Sequence, residues 1–184
     1  MRIISGKFRG KHIQPPVGFR ARPTTDYARE SLFNILSNRI DFESCDILDL
    51  FSGTGSITYE FLSRGANSVH LVEMDKKHIS FIRKMLGEMK VENARSIHID
   101  VKAYLRTCTA RYDLVFADPP YDLPWLEKLP DMIAEAGILK EDGVFIIEHP
   151  GRYSFVKHPC FLEHREYGSV NFTFFSQLKT IVTG

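Results

Sequence analysis

The stretch Asp118-Pro119-Pro120-Tyr121 constrains the fold of this chain more than any other. It follows the run 112–117, whose apolar, β-branched and aromatic residues predict a buried strand. The two prolines end that strand because neither has an N–H group to donate to a neighbouring strand. We therefore expect the Asp118 carboxylate at the C-terminal end of a strand, where open α/β sheets bind their ligands. A turn without any function uses the same residue types, so the motif needs support from the rest of the chain.

The same four residues offer the groups that a planar base with an exocyclic amino group requires. The Asp118 carboxylate and the Pro119 carbonyl accept hydrogen bonds, and the Tyr121 ring provides a stacking face. We predict that Asp118, Pro119 and Tyr121 contact the group on which the protein acts.

Strands and helices alternate along the chain after residue 41. Apolar runs predict strands at 46–51, 68–73, 95–100, 112–117, 142–148, 161–167 and 170–178. Patterns of helical period predict helices at 56–63, 75–89, 101–107 and 124–137. This alternation, closed by a hairpin at Gly168-Ser169, predicts an α/β fold with a doubly wound, mostly parallel, seven-stranded Rossmann-like sheet whose last strand is antiparallel. We predict one domain over residues 1–184, with the ligand-binding core in 41–184 and an N-terminal extension in 1–40.

The N-terminal extension combines a small hairpin with a helix. Residues 2–14 predict a β-hairpin turned at Gly6–Gly10. Thr24 and Thr25 are expected to cap a helix that runs to about Asn38. The helical period places Ala28, Leu32, Ile35 and Leu36 on its apolar face, and Arg29 and Glu30 on its other faces.

The N-terminal arm, residues 1–25, is strongly basic although the whole chain has a net charge of only +1. It contains no acidic residue and six basic ones: Arg2, Lys7, Arg9, Lys11, Arg20 and Arg22. Such a cluster can neutralise the phosphates of a nucleic acid. A basic terminus that is merely solvated has the same composition, so both interpretations remain open.

A second group of candidate ligand residues follows other predicted strands. Ser52-Gly53-Thr54-Gly55 permits a tight turn and a close approach of a ligand to the backbone. Glu73 lies 20 residues after Gly53, and a carboxylate at a strand end can accept hydrogen bonds from both hydroxyls of a ribose. Met74 can cover the face of an adenine. Asp100 can accept from an adenine amino group, or cap the following helix, or do both.

Composition disfavours several other kinds of protein. Cys45, Cys108 and Cys160 are odd in number and far apart, so neither a disulfide framework nor a zinc site is suggested. No apolar run approaches the about 18 residues of a membrane span, and the N-terminus lacks a signal-peptide core. We expect a cytoplasmic, reduced protein with no metal and no membrane contact.

Together these motifs resemble the class I S-adenosylmethionine-dependent methyltransferase fold, and the Asp118–Tyr121 motif resembles its amino-methylating branch. The resemblance is closer still to the RsmD family, which methylates the N2 amino group of a guanine in small-subunit (16S) ribosomal RNA. It spans nearly the whole chain, and its most specific parts are the N-terminal hairpin and Arg22–Asp26. The segments that carry it are Arg2–Gly10, Arg22–Asp26, Arg29–Asn34, Asp49–Gly55, Leu62–Gly65, Glu73–Asp75, Asn93–Arg95, Asp118–Tyr121 and Tyr167-Gly168.

The resemblance implies S-adenosylmethionine as cofactor and ribosomal RNA as partner, either alone or within a partly assembled subunit. In that scheme Asp118 and the Pro119 carbonyl hold the amino group, Tyr121 stacks on the base, and the basic residues of the arm hold RNA phosphates. One departure is Ser56–Glu60, where the family is small and aliphatic, so Tyr59 must find room in the packing. The residues implied around the cofactor are Thr24, Thr25, Asp49, Phe51, Gly53, Gly55, Glu73, Met74, Asp100 and Val101.

Three other functions compete with this one. An adenine-N6 methyltransferase on DNA or RNA can use the same Asp118–Tyr121 motif, but such enzymes usually carry a target-recognition insertion for which this chain has no room. A nicotinamide-dependent oxidoreductase shares the glycine turn and the distant acid, but it leaves that motif and the basic arm unexplained. A non-enzymatic RNA-binding assembly protein has no need of complete sets of donor-site and acceptor-site residues.

Overall fold

The computed structural model describes residues 1–16, 18–19 and 25–176. These residues form seven strands: β1 (Asp46–Leu50), β2 (Ser68–Glu73), β3 (Ala94–His98), β4 (Tyr112–Ala117), β5 (Leu139–His149), β6 (Phe161–Tyr167) and β7 (Val170–Ser176). They also form the α-helices α1 (Asp26–Ser37), α2 (Ser56–Ser63), α3 (Lys76–Glu88), α4 (Val101–Thr107) and α5 (Leu129–Ala136). Arg20, Arg22, Thr24 and residues 177–178 of the last predicted strand lie outside the described residues.

The strands form one sheet in the order β3-β2-β1-β4-β5-β7-β6. Neighbouring strands from β3 to β5 are parallel, whereas β7 runs antiparallel between β5 and β6. The predicted fold class, including the antiparallel last strand, is confirmed. Because the winding direction reverses between β1 and β4, the crevice at their carboxyl ends is where this kind of sheet binds ligands.

Helices cover both faces of the sheet. On one face α1, α2 and α3 pack around a core that contains Phe33, Phe61 and Phe116. On the other face α4 and α5 pack around a core that contains Val115 and Tyr104. Successive residues of β4 thus point into different cores, as the two-residue period of a strand requires. None of the helices in the described ranges has both the length and the apolar character of a membrane-spanning helix.

Most predicted bounds differ from the observed ones by one or two residues, and three elements differ more. The N-terminal hairpin has a single bridge between Arg2 and His12 instead of two regular strands. The helix expected over 124–137 is shorter, because a 3₁₀ turn at Leu126–Lys128 precedes α5. Pro130 lies in the first turn of α5, where its missing N–H group costs nothing. β5 begins earlier than expected and contains Asp142, whose φ of 61° departs from strand geometry.

The prediction that Arg29 faces away from the apolar side of α1 is wrong, because only 1% of its surface is exposed. Its guanidinium donates to the Asp26 carboxylate and to the Arg2 carbonyl, each at 2.8 Å. The buried carboxylate of Glu60 lies 3.7 Å from its Nε atom. A charge is tolerated in the interior when it is paired and hydrogen-bonded, and this pairing explains why helical periodicity alone misplaced Arg29.

Candidate active site

Three parallel strands bring the predicted ligand residues to one edge of the sheet. Leu50 of β1 lies beside Val72 of β2 and Ala117 of β4. The residues that follow these three positions are therefore neighbours: the glycine turn 51–55, then Glu73, then Asp118. The N–H group of Asp118 also points to the Leu50 carbonyl at 3.4 Å.

The glycine turn has the tight geometry that its sequence predicts. Gly53 and Gly55 have φ angles of 54° and 86°, in the left-handed region that favours glycine. A Cβ atom on Gly55 would lie 2.8 Å from the ring of Tyr59, so the turn has no space for a side chain there. Phe51 shares this unusual backbone, with a φ of 59°. Tyr59 does find room, since it is fully buried in the core beneath the turn.

Asp49 lies under the glycine turn and is 1% exposed. The hydroxyl of Thr58, in the first turns of α2, donates to its carboxylate at 2.5 Å. Burial raises the pKa of Asp49 to about 7, and the nearby charge of Glu73 acts in the same direction. A buried carboxyl group next to a ligand crevice becomes more readily ionised when a positively charged ligand binds beside it, because the nearby positive charge lowers its pKa.

Glu73 connects the glycine turn to the start of α3. Its carboxylate accepts from the N–H group of Gly53 at 2.8 Å and from that of Asp75 at 2.7 Å. Both bonds orient the side chain at the end of β2, where 8% of the residue is exposed. Met74 is 68% exposed beside it. The predicted contacts of these two residues with ribose and adenine stay predictions.

Asp100, Val101 and Thr25 begin helices. The Asp100 carboxylate accepts from the N–H group of Ala103 at 3.2 Å, so its predicted capping role is confirmed, and its adenine contact stays a prediction. Val101 is buried in the second core. Thr25 caps α1 by accepting from Ala28 at 3.2 Å. The cofactor contacts predicted for Val101 and Thr25 stay predictions.

The Asp118-Pro119-Pro120-Tyr121 motif follows β4, as expected. Asp118 is half-buried, Pro119 is buried and Pro120 is exposed. The Tyr121 hydroxyl donates to the Glu148 carboxylate at 3.1 Å, and the Tyr121 carbonyl accepts from the Arg152 guanidinium. The roles predicted for Asp118, Pro119 and Tyr121 toward a base stay predictions.

Sequence reasoning missed Glu148, Arg152 and Trp125. Glu148 lies near the end of β5, and Ile147 before it pairs with Ala117 before Asp118. An acid at a strand end is the same signal that selected Glu73, so it was available for Glu148 too. The ring of Trp125 lies 5.9 Å from that of Phe51. No local pattern in the sequence indicates this contact or the one between Arg152 and Tyr121.

The N-terminal arm is attached to the C-terminal end of α2. The N–H group of Lys7 donates to the Ser63 carbonyl at 2.7 Å, and that of Phe8 donates to the Ser63 hydroxyl at 2.9 Å. The N–H group of Ile4 donates to the Glu60 carboxylate at 2.6 Å. Gly6 approaches so closely that a Cβ atom there would lie 1.8 Å from the Ser63 carbonyl oxygen.

This attachment separates two of the predicted RNA-binding residues from the glycine turn. Ser63 ends α2, whereas the turn lies before Ser56 at the other end, about 10 Å away along the helix axis. Lys7 and Arg9 are exposed at the Ser63 end, and Arg2 is exposed on the segment that precedes them. Lys11 is half-buried. The predicted phosphate contacts of all four stay predictions.

The carboxyl edge is acidic and rich in hydrogen-bond acceptors. Asp49, Glu73, Asp100 and Asp118 all lie at the ends of β1 to β4 or close to them. Acceptors of this kind suit a ligand that carries a positive charge and several donor groups. Within the described ranges, His, Cys, Asp and Glu side chains form no group of three or more that could hold a metal ion.

The family described as conserved hypothetical protein 95 matches residues 1–176 of the chain. A relative from Buchnera aphidicola subsp. Baizongia pistaciae, named ribosomal RNA small subunit methyltransferase D, is 35% identical over 149 residues, which are 80% of this chain and 75% of the relative. The protein of the same name from Escherichia coli K12 is 34% identical over 148 residues, which are 80% of this chain and 74% of that protein. A solved structure, that of a hypothetical protein from Thermus thermophilus, has a TM-score of 0.84 at 27% identity and covers 96% of this chain and 99% of that one. The chain therefore belongs to the conserved hypothetical protein 95 family, the RsmD family of methyltransferases that its sequence motifs resemble.

Proposed function

We propose that this protein transfers a methyl group from S-adenosylmethionine to the exocyclic N2 amino group of a guanine in 16S ribosomal RNA in the cytoplasm. The observation that carries the proposal is the meeting of the glycine turn, Glu73 and the Asp118–Tyr121 motif at neighbouring strand ends. The names of the two relatives support small-subunit ribosomal RNA as the substrate. The resemblance to the RsmD family supports guanine N2 over adenine N6 as the acceptor.

The residues around the glycine turn fit S-adenosylmethionine by charge and hydrogen bonding. Glu73 accepts from the ribose hydroxyls, and Asp100 accepts from the adenine amino group. When bound, the cofactor supplies a methyl group on a sulfonium, which is activated for transfer without help from the protein. The other residues assigned to this pocket are Asp49, Phe51, Gly53, Gly55, Met74 and Val101, with Thr24 and Thr25 at its methionine end.

The chain's main chemical task is to prepare the guanine amino group, whose lone pair is delocalised into the ring. The Asp118 carboxylate and the Pro119 carbonyl accept hydrogen bonds from the two N–H groups of the guanine amino group and direct its lone pair at the methyl group. Such positioning can lower the barrier to methyl transfer by several kcal/mol. Tyr121 stacks on a base that has left its RNA context, which contributes about 1–3 kcal/mol. The proton leaves to Asp118 or to water after methylation.

The N-terminal arm holds RNA away from the reacting atoms. Its exposed cations Arg2, Lys7 and Arg9 lie along the arm, and the last two are at the end of α2 that is remote from the glycine turn. We infer that they contact phosphates of nucleotides that flank the target. This division assigns chemistry to the strand ends and RNA affinity to the arm.

The test is mass mapping of modified nucleosides in 16S ribosomal RNA from cells with and without the gene. We expect one N2-methylguanosine to disappear on deletion and to return when the wild-type gene is restored, but not when the Asp118→Ala gene is restored. Loss of an N6-methyladenosine instead would identify an adenine methyltransferase. Unchanged RNA together with stoichiometric S-adenosylmethionine binding would identify a non-enzymatic assembly protein.

A further inference from the structure

The acceptor loop, residues 118–125, contains one internal backbone hydrogen bond, from the Leu123 N–H group to the Pro120 carbonyl at 2.9 Å, but it is poor in backbone donors. Three of its eight residues, at 119, 120 and 124, are prolines without an N–H group to donate. Its first residue reaches the Leu50 carbonyl only at 3.4 Å, near the limit for a hydrogen bond. Side chains from elsewhere in the chain can therefore add to the accuracy with which such a loop places the Asp118 carboxylate.

Two residues at the end of β5 provide that support through Tyr121. The Glu148 carboxylate accepts from the Tyr121 hydroxyl at 3.1 Å, which fixes the direction of the ring. The Arg152 guanidinium donates to the Tyr121 carbonyl, which fixes the backbone of the same residue. Tyr121 is thus held at both its side chain and its main chain by residues that are 27 and 31 positions away.

The segment that carries these two residues is itself fixed. Glu148 is 3% exposed and pairs with Phe172 of β7. The His149 ring is hydrogen-bonded to the Thr173 hydroxyl of β7 at 2.8 Å. Burial lowers the pKa of His149 to about 4, so its ring is neutral near pH 7. The Arg152 guanidinium lies over the Tyr153 ring, 4.9 Å from its centroid. Glu148 is therefore fixed by the sheet, whereas Arg152 lies in the exposed turn that directly follows β5.

We propose that Glu148 and Arg152 are positioning residues that hold Tyr121 and, through it, set the place of Asp118 for methyl transfer. This inference rests on the proposed function for the identity of the acceptor. The support itself does not depend on which amino group is methylated. It acts on the acceptor side, so cofactor binding is independent of it.

The single tryptophan of the chain allows a test that needs no substrate. Trp125 ends the acceptor loop and packs beside Phe51, so its fluorescence reports the order of the loop. The variants are Arg152→Ala, which removes the bond to the Tyr121 carbonyl, and Tyr121→Phe, which removes only the hydroxyl that reaches Glu148. Arg152→Lys keeps a donor and serves as the conservative variant. Arg83→Ala is the matched control. The Arg83 guanidinium also donates a hydrogen bond to another element, from α3 to the Ser96 hydroxyl of β3 at 2.8 Å, but it is not part of the acceptor loop or its supports.

We expect Arg152→Ala and Tyr121→Phe to increase acrylamide quenching of Trp125 and to lower the single-turnover rate of methyl transfer about 10- to 100-fold, since small misplacements are costly. The S-adenosylmethionine dissociation constant should stay at the wild-type value in both variants. Arg152→Lys should bring the quenching and the single-turnover rate part of the way back to wild type. Arg83→Ala should change neither the quenching nor the rate. Unchanged quenching and rate in both variants would overturn the proposal. So would a rise in KM for RNA alone in Arg152→Ala, which would mean that Arg152 only binds phosphate. If the wild-type protein methylates no guanine N2, the proposed function fails, while the quenching result still decides the positioning role.

Discussion

The carboxyl edge of the sheet and the N-terminal arm are built in opposite ways. At the edge, the glycine turn, Glu73 and Asp118 lie at the carboxyl ends of β1, β2 and β4, and the register of these strands makes them neighbours. In the described part of the arm, residues 1–16 and 18–19, Arg2 and His12 form a single β-bridge, and backbone N–H groups donate to Glu60 and Ser63 of α2. The edge is rich in carboxylates, whereas the arm between residues 1 and 25 has only basic charges.

Under the proposed function, this difference assigns catalysis and RNA binding to different regions. The sheet register groups the strand ends that carry the residues assigned to catalysis. The arm, to which we assign RNA binding, depends on a docking contact that one substitution can disturb. The two regions share α2, which begins at the glycine turn and ends at the arm, yet opposite ends of the helix serve them. We therefore expect variants to separate catalysis, cofactor binding and RNA binding.

The largest expected effect is that of Asp118→Ala. Methyl transfer should fall by at least about 100-fold, because the amino group loses the acceptor that orients it. S-adenosylmethionine affinity, measured by calorimetry, should not change. Asp122→Ala removes an exposed carboxylate from the same loop and should retain activity. A loss of cofactor affinity as large as the loss of activity would place Asp118 in the cofactor pocket instead.

Glu73→Ala should have the reverse effect. We expect the S-adenosylmethionine dissociation constant to rise about 10- to 100-fold, because hydrogen bonds to a charged group contribute about 1.5–3 kcal/mol. RNA affinity should stay at its wild-type value, since the residue lies at the opposite end of α2 from the attached arm. Normal cofactor affinity in this variant would exclude the ribose contact.

Gly6→Ala should loosen the arm without touching the edge. The new Cβ atom would lie 1.8 Å from the Ser63 carbonyl oxygen, so the arm must move away from α2. We expect RNA affinity to fall about tenfold, equivalent to about 1.4 kcal/mol, with cofactor affinity unchanged. Gly10→Ala is the matched control, because Gly10 also has a positive φ, of 83°, but nothing lies within 4 Å of its added Cβ atom.

The salt dependence of RNA binding sharpens this prediction. In a plot of the logarithm of the RNA-binding constant against the logarithm of the salt concentration, removing one cation that binds a phosphate should make the negative slope shallower by about 0.7 to 0.9. A Lys7→Ala/Arg9→Ala variant should therefore show a flatter slope, and Gly6→Ala should resemble it. An unchanged slope in the double variant would mean that the arm is a solvated face and that the protein grips RNA elsewhere.

The last prediction concerns Asp49 and the pH dependence of stability, not activity or binding. Because burial raises its folded-state pKa from 3.8 to about 7, the folded protein holds a proton that the unfolded chain releases. Stability from this group is complete below pH 3.8 and is lost as the pH rises to about 7, a change of at most about 4 kcal/mol. Urea unfolding from pH 4 to 7 should show a steeper decline for wild type than for Asp49→Asn. Parallel curves would contradict the raised pKa.

The carboxyl edge could be predicted from the sequence, whereas the side-chain contacts that attach the N-terminal arm could not. Strand ends in a parallel sheet converge whatever the intervening helices do, so local patterns at Glu73 and Asp118 sufficed to group them. The contacts of Arg29 with Arg2, and of Glu60 with Ile4, join residues 27 and 56 positions apart. Their partners depend on how α1 and α2 pack, and helical periodicity carries no information about that. The contacts of Tyr121 with Glu148 and Arg152 are missed for the same reason.

The most direct measurement of the central claim uses two RNAs that differ by one amino group. Once the modified guanosine is mapped, 16S ribosomal RNA from cells lacking the gene is compared with RNA that carries inosine at that position, which lacks only the N2 amino group. With purified protein and methyl-labelled S-adenosylmethionine, we predict label in N2-methylguanosine from the first RNA and none from the inosine RNA. Equal labelling of both RNAs, or label in N6-methyladenosine, would contradict the account.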